Sequence, residues 1–214
     1  MGKTETDDWL DRVYRAKNGE DLRKLYDTWA ETYDADLLHV GYVHAPVIAG
    51  LVSRHVPSRE AAILDAGVGT GAIGNILSIL GYNNLTGIDM SAGMLEKARA
   101  RGCYADLRQG VLGEALPFPD GAFDAILSTG TFTNGHAPAS AFRELTRILE
   151  PGGVLLFTVG TVIWEEQSFH HMLDGLVRAG LLAAVETTPI YRLLPFSHTE
   201  GDFTTRAHVY RKLG

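Results

Sequence analysis

A chain of 214 residues has room for one domain and a small appendage. Its 45% hydrophobic content is enough for a real core, and 19 basic against 26 acidic side chains leave a net charge of −7, which argues against a nucleic-acid partner. The single cysteine, Cys103, excludes an intramolecular disulfide, and the acidic start MGKTETDDWL lacks the apolar run of a signal peptide, so a cytoplasmic protein is expected.

The first sixty residues read as helical. Residues 7–16 place Trp9, Leu10, Val13 and Tyr14 on one face. Residues 20–38 carry Leu22, Leu25, Tyr26, Trp29, Tyr33 and Leu37 at spacings of three and four. The uncharged stretch 37–53 holds histidines, glycines and a proline and does not read as a membrane span. From residue 61 the texture changes. Apolar runs at 61–65, 85–88, 103–108, 123–127, 154–159, 183–193 and 204–212 alternate with helical patterns at 72–80, 92–100, 140–149 and 169–179. Glu150-Pro151-Gly152-Gly153 supplies stop chemistry after the third of these helices to be followed by a strand. The last two apolar runs have no helix between them, which predicts an antiparallel pair. The expectation is an α/β fold: residues 1–58 as a helical cap or lid, and 59–214 as a doubly wound, Rossmann-like, seven-stranded sheet.

The first strand runs into Asp65-Ala66-Gly67-Val68-Gly69-Thr70-Gly71, and a helix opens directly after it. Glycines 67, 69 and 71 let the backbone turn sharply and lie close to a ligand. The first strand-to-helix crevice of such a sheet is where nucleotide-like cofactors sit. The spacing is G-x-G-x-G, whereas a dinucleotide fingerprint is G-x-G-x-x-G. Asp65 would oppose a phosphate there but suits the ammonium and sulfonium of S-adenosylmethionine. Asp89 closes the second strand, where a carboxylate accepts from ribose hydroxyls. Met90 would then lie over the adenine, and Ser91 is a good helix N-cap.

These segments, with Leu116-Pro117-Phe118-Pro119-Asp120-Gly121, Phe123-Asp124-Ala125-Ile126 and Glu150-Pro151-Gly152-Gly153, resemble the class I S-adenosylmethionine-dependent methyltransferases. The resemblance runs from about Leu22 to the C-terminus. It implies strand order 3-2-1-4-5-7-6 with strand seven antiparallel, S-adenosyl-L-methionine as cofactor and S-adenosyl-L-homocysteine as product. By that pattern Asp65 and Gly67 approach the methionine end, Asp89 the ribose and Met90 the adenine, with Gly69 and Gly71 as further cofactor contacts. Ser128, Thr129 and Gly130 would face the sulfonium. Many relatives have an aspartate after strand three for the adenine amino group. Here Gln109-Gly110-Val111-Leu112-Gly113 leaves Val111 and Leu112 to hold the base by stacking and backbone contacts. A narrower likeness, to the methyltransferase-like proteins of the Williams–Beuren syndrome chromosome region, rests on residues 25–34, 91–96 and 112–114 and brings no substrate with it. In related enzymes a Tyr-Asp-x-x-Ala-x-x-Tyr-Asp helix covers the cofactor, which makes Tyr26 and Tyr33 candidate contacts. Trp29 is either a third contact or plain packing.

An imidazole near neutral pKa is the natural base for an oxygen or nitrogen nucleophile. His136, after strand four, and His44, in the cap, are the candidate bases, with Asn134 and His198 as candidate substrate contacts. His55 in a turn, His170 and His171 on a helix and His208 in the last strand read as structural or exposed. No histidine has metal-site spacing, so no metal is expected. Strand four ends in Ser128-Thr129-Gly130-Thr131, not the Asn/Asp-Pro-Pro-aromatic tetrad of adenine or amide methylases, and Glu165-Glu166 does not form a protein-arginine loop. The expected acceptor is therefore a small molecule, methylated on O, N or C and enclosed by the cap and residues 194–202. Neither nucleic acid nor membrane is expected, and the protein is a monomer or homodimer. Competing readings are a regulatory S-adenosylmethionine binder, an enzyme of elimination or cyclisation, and a nucleotide-dependent oxidoreductase disfavoured by the glycine spacing and Asp65.

Overall fold

The computed structural model describes residues 5–166 and 168–214. Four helices, α1 (Glu5–Tyr14), α2 (Gly19–Trp29), α3 (Tyr33–His39) and α4 (His44–His55), precede the first strand. Asn18 caps α2, its side chain accepting from the Asp21 amide at 2.9 Å. The helical pattern of residues 20–38 forms two helices rather than one. Asp36 gathers the Trp29 indole N–H at 2.7 Å and the Thr32 hydroxyl at 2.8 Å, which folds α3 back onto the end of α2. His55 ends α4 rather than sitting in a turn, and pairs with Glu186 at 2.7 Å.

The α/β portion runs β1 (Ile63–Ala66), α5 (Ala72–Ile79), β2 (Leu85–Asp89), α6 (Ala92–Ala100), β3 (Asp106–Gln109), β4 (Phe123–Phe132), α7 (Ala141–Ile148), β5 (Leu149–Gly160), α8 (Thr161–Glu166), α9 (Phe169–Arg178), β6 (Leu182–Thr187), β7 (Tyr191–Arg192) and β8 (Thr204–Lys212). The strand order is β3-β2-β1-β4-β5-β8-β6, with β8 antiparallel to both neighbours, so the Rossmann-like arrangement stands. Among the described residues the sheet has eight strands, the seven expected and a short β7 added at its edge. The run 183–193 is interrupted at Pro189, which has no N–H for the ladder, and its end returns as β7, pairing Tyr191 with Thr205. Two other differences lengthen the site-bearing strands: β4 continues to Phe132, and β5 starts at Leu149, ahead of the Glu-Pro-Gly-Gly turn.

Each sheet face carries its own core. Ile48 and Val52 of α4 and Ile73 and Leu77 of α5 pack on Leu85, Leu127 and Leu156. On the other face Phe142 and Leu145 of α7 and Phe169 and Leu173 of α9 pack on Ile126, Leu155 and Phe157. A third cluster joins Leu10, Val13, Leu22, Trp29 and Leu37 of α1–α3 to Leu193 and Leu194 before β8. Each buried side chain of this size contributes about 1.5–3 kcal/mol. Thus α4 is a sheet-covering helix, whereas α1–α3 form a separate layer against the loops. No single helix among the described residues is long and apolar enough to cross a membrane.

Candidate functional site

A cavity of about 390 Å³ opens between the glycine loop and α2. Gly67, Gly69, Asp89, Met90, Val111, Leu112, Thr129 and Gly130 line it from the core, and Tyr26, Tyr33 and His136 from the other side. The loop is pinned to β2: the amides of Gly67 and Val68 donate to the Ile88 carbonyl at 2.9 and 2.8 Å. Gly67 has φ +84°, and a Cβ there would collide with the Thr131 side chain, so only glycine fits. The Asp89 carboxylate is held by two amides, Gly69 at 2.8 Å and Ser91 at 2.9 Å, while its burial raises the pKa. Ser91 caps α6 as its residue type predicts, accepting from the Met94 amide at 3.1 Å.

A second cavity, of about 420 Å³, lies across the loop and shares Tyr33, Gly67, Gly69 and Thr129 with the first. Asp65 lines this one and not the first. Its Oδ2 accepts from the Tyr104 hydroxyl at 2.6 Å, and its Oδ1 is buried with no partner. Burial pushes the Asp65 pKa up to about 7 against the opposing Tyr104 hydrogen bond. Tyr104 is wedged against Gly71 and Gly74 and takes the Gly74 amide at 3.1 Å. Gly71 therefore contacts Tyr104 and Ala98 rather than lining a cavity. Ser128 is fully buried and donates to the Ala66 carbonyl at 2.7 Å, tying β4 to β1 below the site.

A third space, about 40 Å³, lies between α1–α3 and the sheet, and shares Tyr26, Tyr33 and Gly130 with the first. Trp29 faces this space, 1% exposed, with Trp9 stacked 5.7 Å away and Tyr33 edge-on at 4.7 Å. His44 also faces it. Its Nδ1 lies 2.9 Å from the Tyr191 hydroxyl, and burial pulls its pKa down to about 3. His136 stands at the main cavity, with Nε2 2.7 Å from the Tyr26 hydroxyl and Nδ1 2.8 Å from the Asn134 carbonyl. Asn134 and His198 are exposed and line none of these spaces. The loop bearing His198 is instead tied to α1, where buried Asp7 accepts from the Ser197 hydroxyl at 2.6 Å.

Residue types alone do not single out the acids that fasten α2 and α3 to the core. Asp27 accepts from the Ser91 hydroxyl at 2.6 Å and the Gly93 amide at 3.0 Å. Glu31 pairs with Lys97 at 2.7 Å. Asp34 accepts from Thr70 of the glycine loop at 2.5 Å and from Arg101, which also donates to the Thr70 carbonyl at 2.6 Å. Glu31 sits in the turn between α2 and α3, so no single helical face groups the three, and their roles emerge only from the folded partners. Among the described residues no group of three or more His, Cys, Asp or Glu is placed to hold a metal.

Residues 64–157 match a family model described as a methyltransferase domain. The chain is 35% identical over 191 residues to human Methyltransferase-like protein 27, covering 85% of this chain and 78% of that protein. It is 32% identical over 152 residues to a demethylmenaquinone methyltransferase of Tropheryma whipplei (strain Twist), covering 69% of this chain and 62% of the relative. Among solved structures, the [4+2]-cyclase SpnF aligns with TM-score 0.69 at 20% identity, covering 93% of this chain and 98% of that one. One chain of the complex between the Haloferax volcanii Trm112 methyltransferase activator and a methyltransferase aligns with TM-score 0.65 at 21% identity, covering 88% and 98%. The domain match and the 35% identity to a relative covered over 78% of its length agree, and the sheet order is the one expected from the sequence resemblance: this chain belongs to the class I S-adenosylmethionine-dependent methyltransferases.

Proposed function

We propose that this protein transfers the methyl group of S-adenosyl-L-methionine to an O, N or C atom of a small molecule, leaving S-adenosyl-L-homocysteine. The observation that carries the reading is a pair of carboxylates on either side of the glycine loop. Asp89 is ordered by two amides in one cavity, and Asp65 keeps a buried, partnerless oxygen in the other. A buried orphan acceptor is costly unless something donates to it. A cofactor bearing hydroxyls at one end and an ammonium at the other fits that pair. When bound, it supplies an electrophilic methyl group on a positively charged sulfur.

In this reading Asp89 accepts from the ribose hydroxyls, and Met90, Val111 and Leu112 flank the adenine. Asp65 receives the ammonium, and Thr129 and Gly130 lie beside the sulfur. Tyr26 and Tyr33, with Trp29 behind them, close the site, excluding water and holding the reactants at attack distance. A small-molecule acceptor is supported by a relative named for demethylmenaquinone, and the net charge of −7 weighs against a nucleic-acid one.

S-adenosylhomocysteine is expected to raise the melting temperature, since a ligand at a hundredfold excess over Kd adds about 2.7 kcal/mol. No shift up to millimolar ligand would overturn the reading. Methyl-labelled cofactor, incubated with a small-molecule extract of the source cells, is expected to label a low-molecular-weight product.

A further inference from the structure

The contact between Tyr26 and His136 fixes where protons sit. Nδ1 of His136 is 2.8 Å from the Asn134 carbonyl oxygen, an atom that only accepts, so Nδ1 carries the hydrogen. In the neutral ring Nε2 is then a bare acceptor, and the Tyr26 hydroxyl donates to it at 2.7 Å. Burial holds the His136 pKa below its ordinary value and keeps the ring neutral. Carbonyl, imidazole and hydroxyl thus stand in the order of a base oriented by one partner and activating another. No acceptor reaches Nε2 without first displacing the phenol. Tyr26, in contrast, borders both the main cavity and the small space behind it, whereas His136 borders only the former.

A second observation concerns charge. Among the described residues no lysine or arginine lines either space, and the formally charged ones there are Asp89 and Glu114. A carboxylate, phosphate or thiolate entering would meet no cationic side chain, and the one positive charge beside it, the cofactor's sulfonium, is discharged by the transfer itself.

Resting on the methyl-transfer reading above, we infer that the acceptor is a neutral protic molecule, an alcohol or phenol, whose proton leaves through Tyr26 to His136. Tyr26 is the catalytic residue, and His136 is a positioning residue that acts through it. The acceptor's O–H bond breaks as its hydrogen passes to the phenol oxygen, while the phenol's own hydrogen passes to Nε2. The oxygen lone pair forms the new bond to the methyl carbon, and the electron pair of the broken carbon–sulfur bond stays on sulfur. The positive charge of the sulfonium ends on the imidazolium, which returns its proton to water when the site opens.

The test uses Tyr26→Phe, His136→Ala and the double variant of the full chain. Nitrogen NMR of the wild-type protein with S-adenosylhomocysteine is expected to show His136 protonated on Nδ1, with its pKa rising in Tyr26→Phe as the donor to the neutral ring is lost. An Nε2-protonated ring overturns the relay without any substrate being needed. Transfer is then measured at saturating methyl-labelled cofactor on an extract of small molecules. Each single variant is expected to lower the rate about 100-fold, and the double variant no further, because the residues act as one unit. The His136→Ala rate is expected to climb with pH as hydroxide substitutes, while the wild-type rate is flat above about pH 6.5. Full rate in Tyr26→Phe, or losses that multiply in the double variant, overturns the relay alone. Labelling confined to carboxylic acids or thiols overturns the acceptor class. A wild-type protein that binds S-adenosylhomocysteine and labels nothing overturns the methyl-transfer reading and the relay with it.

Discussion

The two sides of the cavity are made from different material. On the glycine-loop side the groups are backbone amides and the Asp89 carboxylate, with the Asp65 carboxylate in the second cavity across the loop. On the side of α1–α3 they are aromatic side chains whose partners lie far off in sequence: Tyr26 meets His136 across 110 positions, and His44 meets Tyr191 across 147. The first side is dictated by local backbone conformation at strand ends. The second exists only when packing is complete, so damage to packing should strike one side more than the other.

The largest effect on that contrast is expected from Trp29→Ala. It empties the centre of the α1–α3 cluster and removes the indole donor to Asp36, a change that costs about 3–5 kcal/mol. Denaturant unfolding would read it, and a loss below about 1 kcal/mol would show that the aromatic side is not cooperative with the sheet. Asp89→Ala attacks the other side. It leaves the Gly69 and Ser91 amides without their acceptor and is expected to weaken S-adenosylhomocysteine binding about 100-fold by calorimetry, with stability changing less than in Trp29→Ala.

Asp65 sharpens the comparison through pH. Its carboxyl, at about 7 in the free protein, holds a proton that an unfolded chain has released above about 4. Its contribution to stability is therefore present below the unfolded value and is lost as pH rises through about 7. His44, at about 3, and His208, at about 4, act oppositely: they favour the folded state as pH rises toward about 6.5. An ammonium against Asp65 lowers its pKa, so ligand binding near pH 6 should release close to one proton and tighten as pH rises. Calorimetry in buffers of different ionisation enthalpy measures this release, and Asp65→Asn is expected to abolish it.

The smallest effect is expected from Asp34→Asn. Its carboxylate is half exposed, so loss of the Arg101 pair should cost under about 1 kcal/mol. Hydrogen exchange should nevertheless quicken in α3 and the glycine loop. Unchanged exchange there would mean that the acids do not fasten α3 to the loop.

What was legible in the sequence follows the same division. The strand–acid–glycine–helix run and the acid closing β2 announce the first strands and the tight loop between them, because each is a local backbone requirement, whereas the sheet order came from the family resemblance and the contacts of Gly71 with Tyr104 were not legible. The break between α2 and α3 was not legible, since no glycine or proline marks it; the cause is Asp36 gathering donors from Trp29 and Thr32. Nor was β7, a two-residue strand defined by its partner. His136 was visible as a histidine after strand four, but its engagement with Tyr26 depends on a helix more than a hundred residues earlier. Asp27 and Asp34 sit in plain view in the Tyr-Asp repeats, yet their roles reside in partners on α6 and the glycine loop.

The wedge formed by Tyr104 limits how this chain can diverge. A methyl group at position 74 would overlap the phenol ring, and one at position 71 would press on the same ring and on the Ala98 backbone. The three positions therefore cannot drift independently. Gly74→Ala should be tolerated only after Tyr104 has become smaller, and that step removes the hydroxyl that donates to Asp65. A lineage that fills the glycine helix thus exposes its buried acid to a second uncompensated oxygen, so positions 65, 71, 74 and 104 should vary together among descendants or not at all.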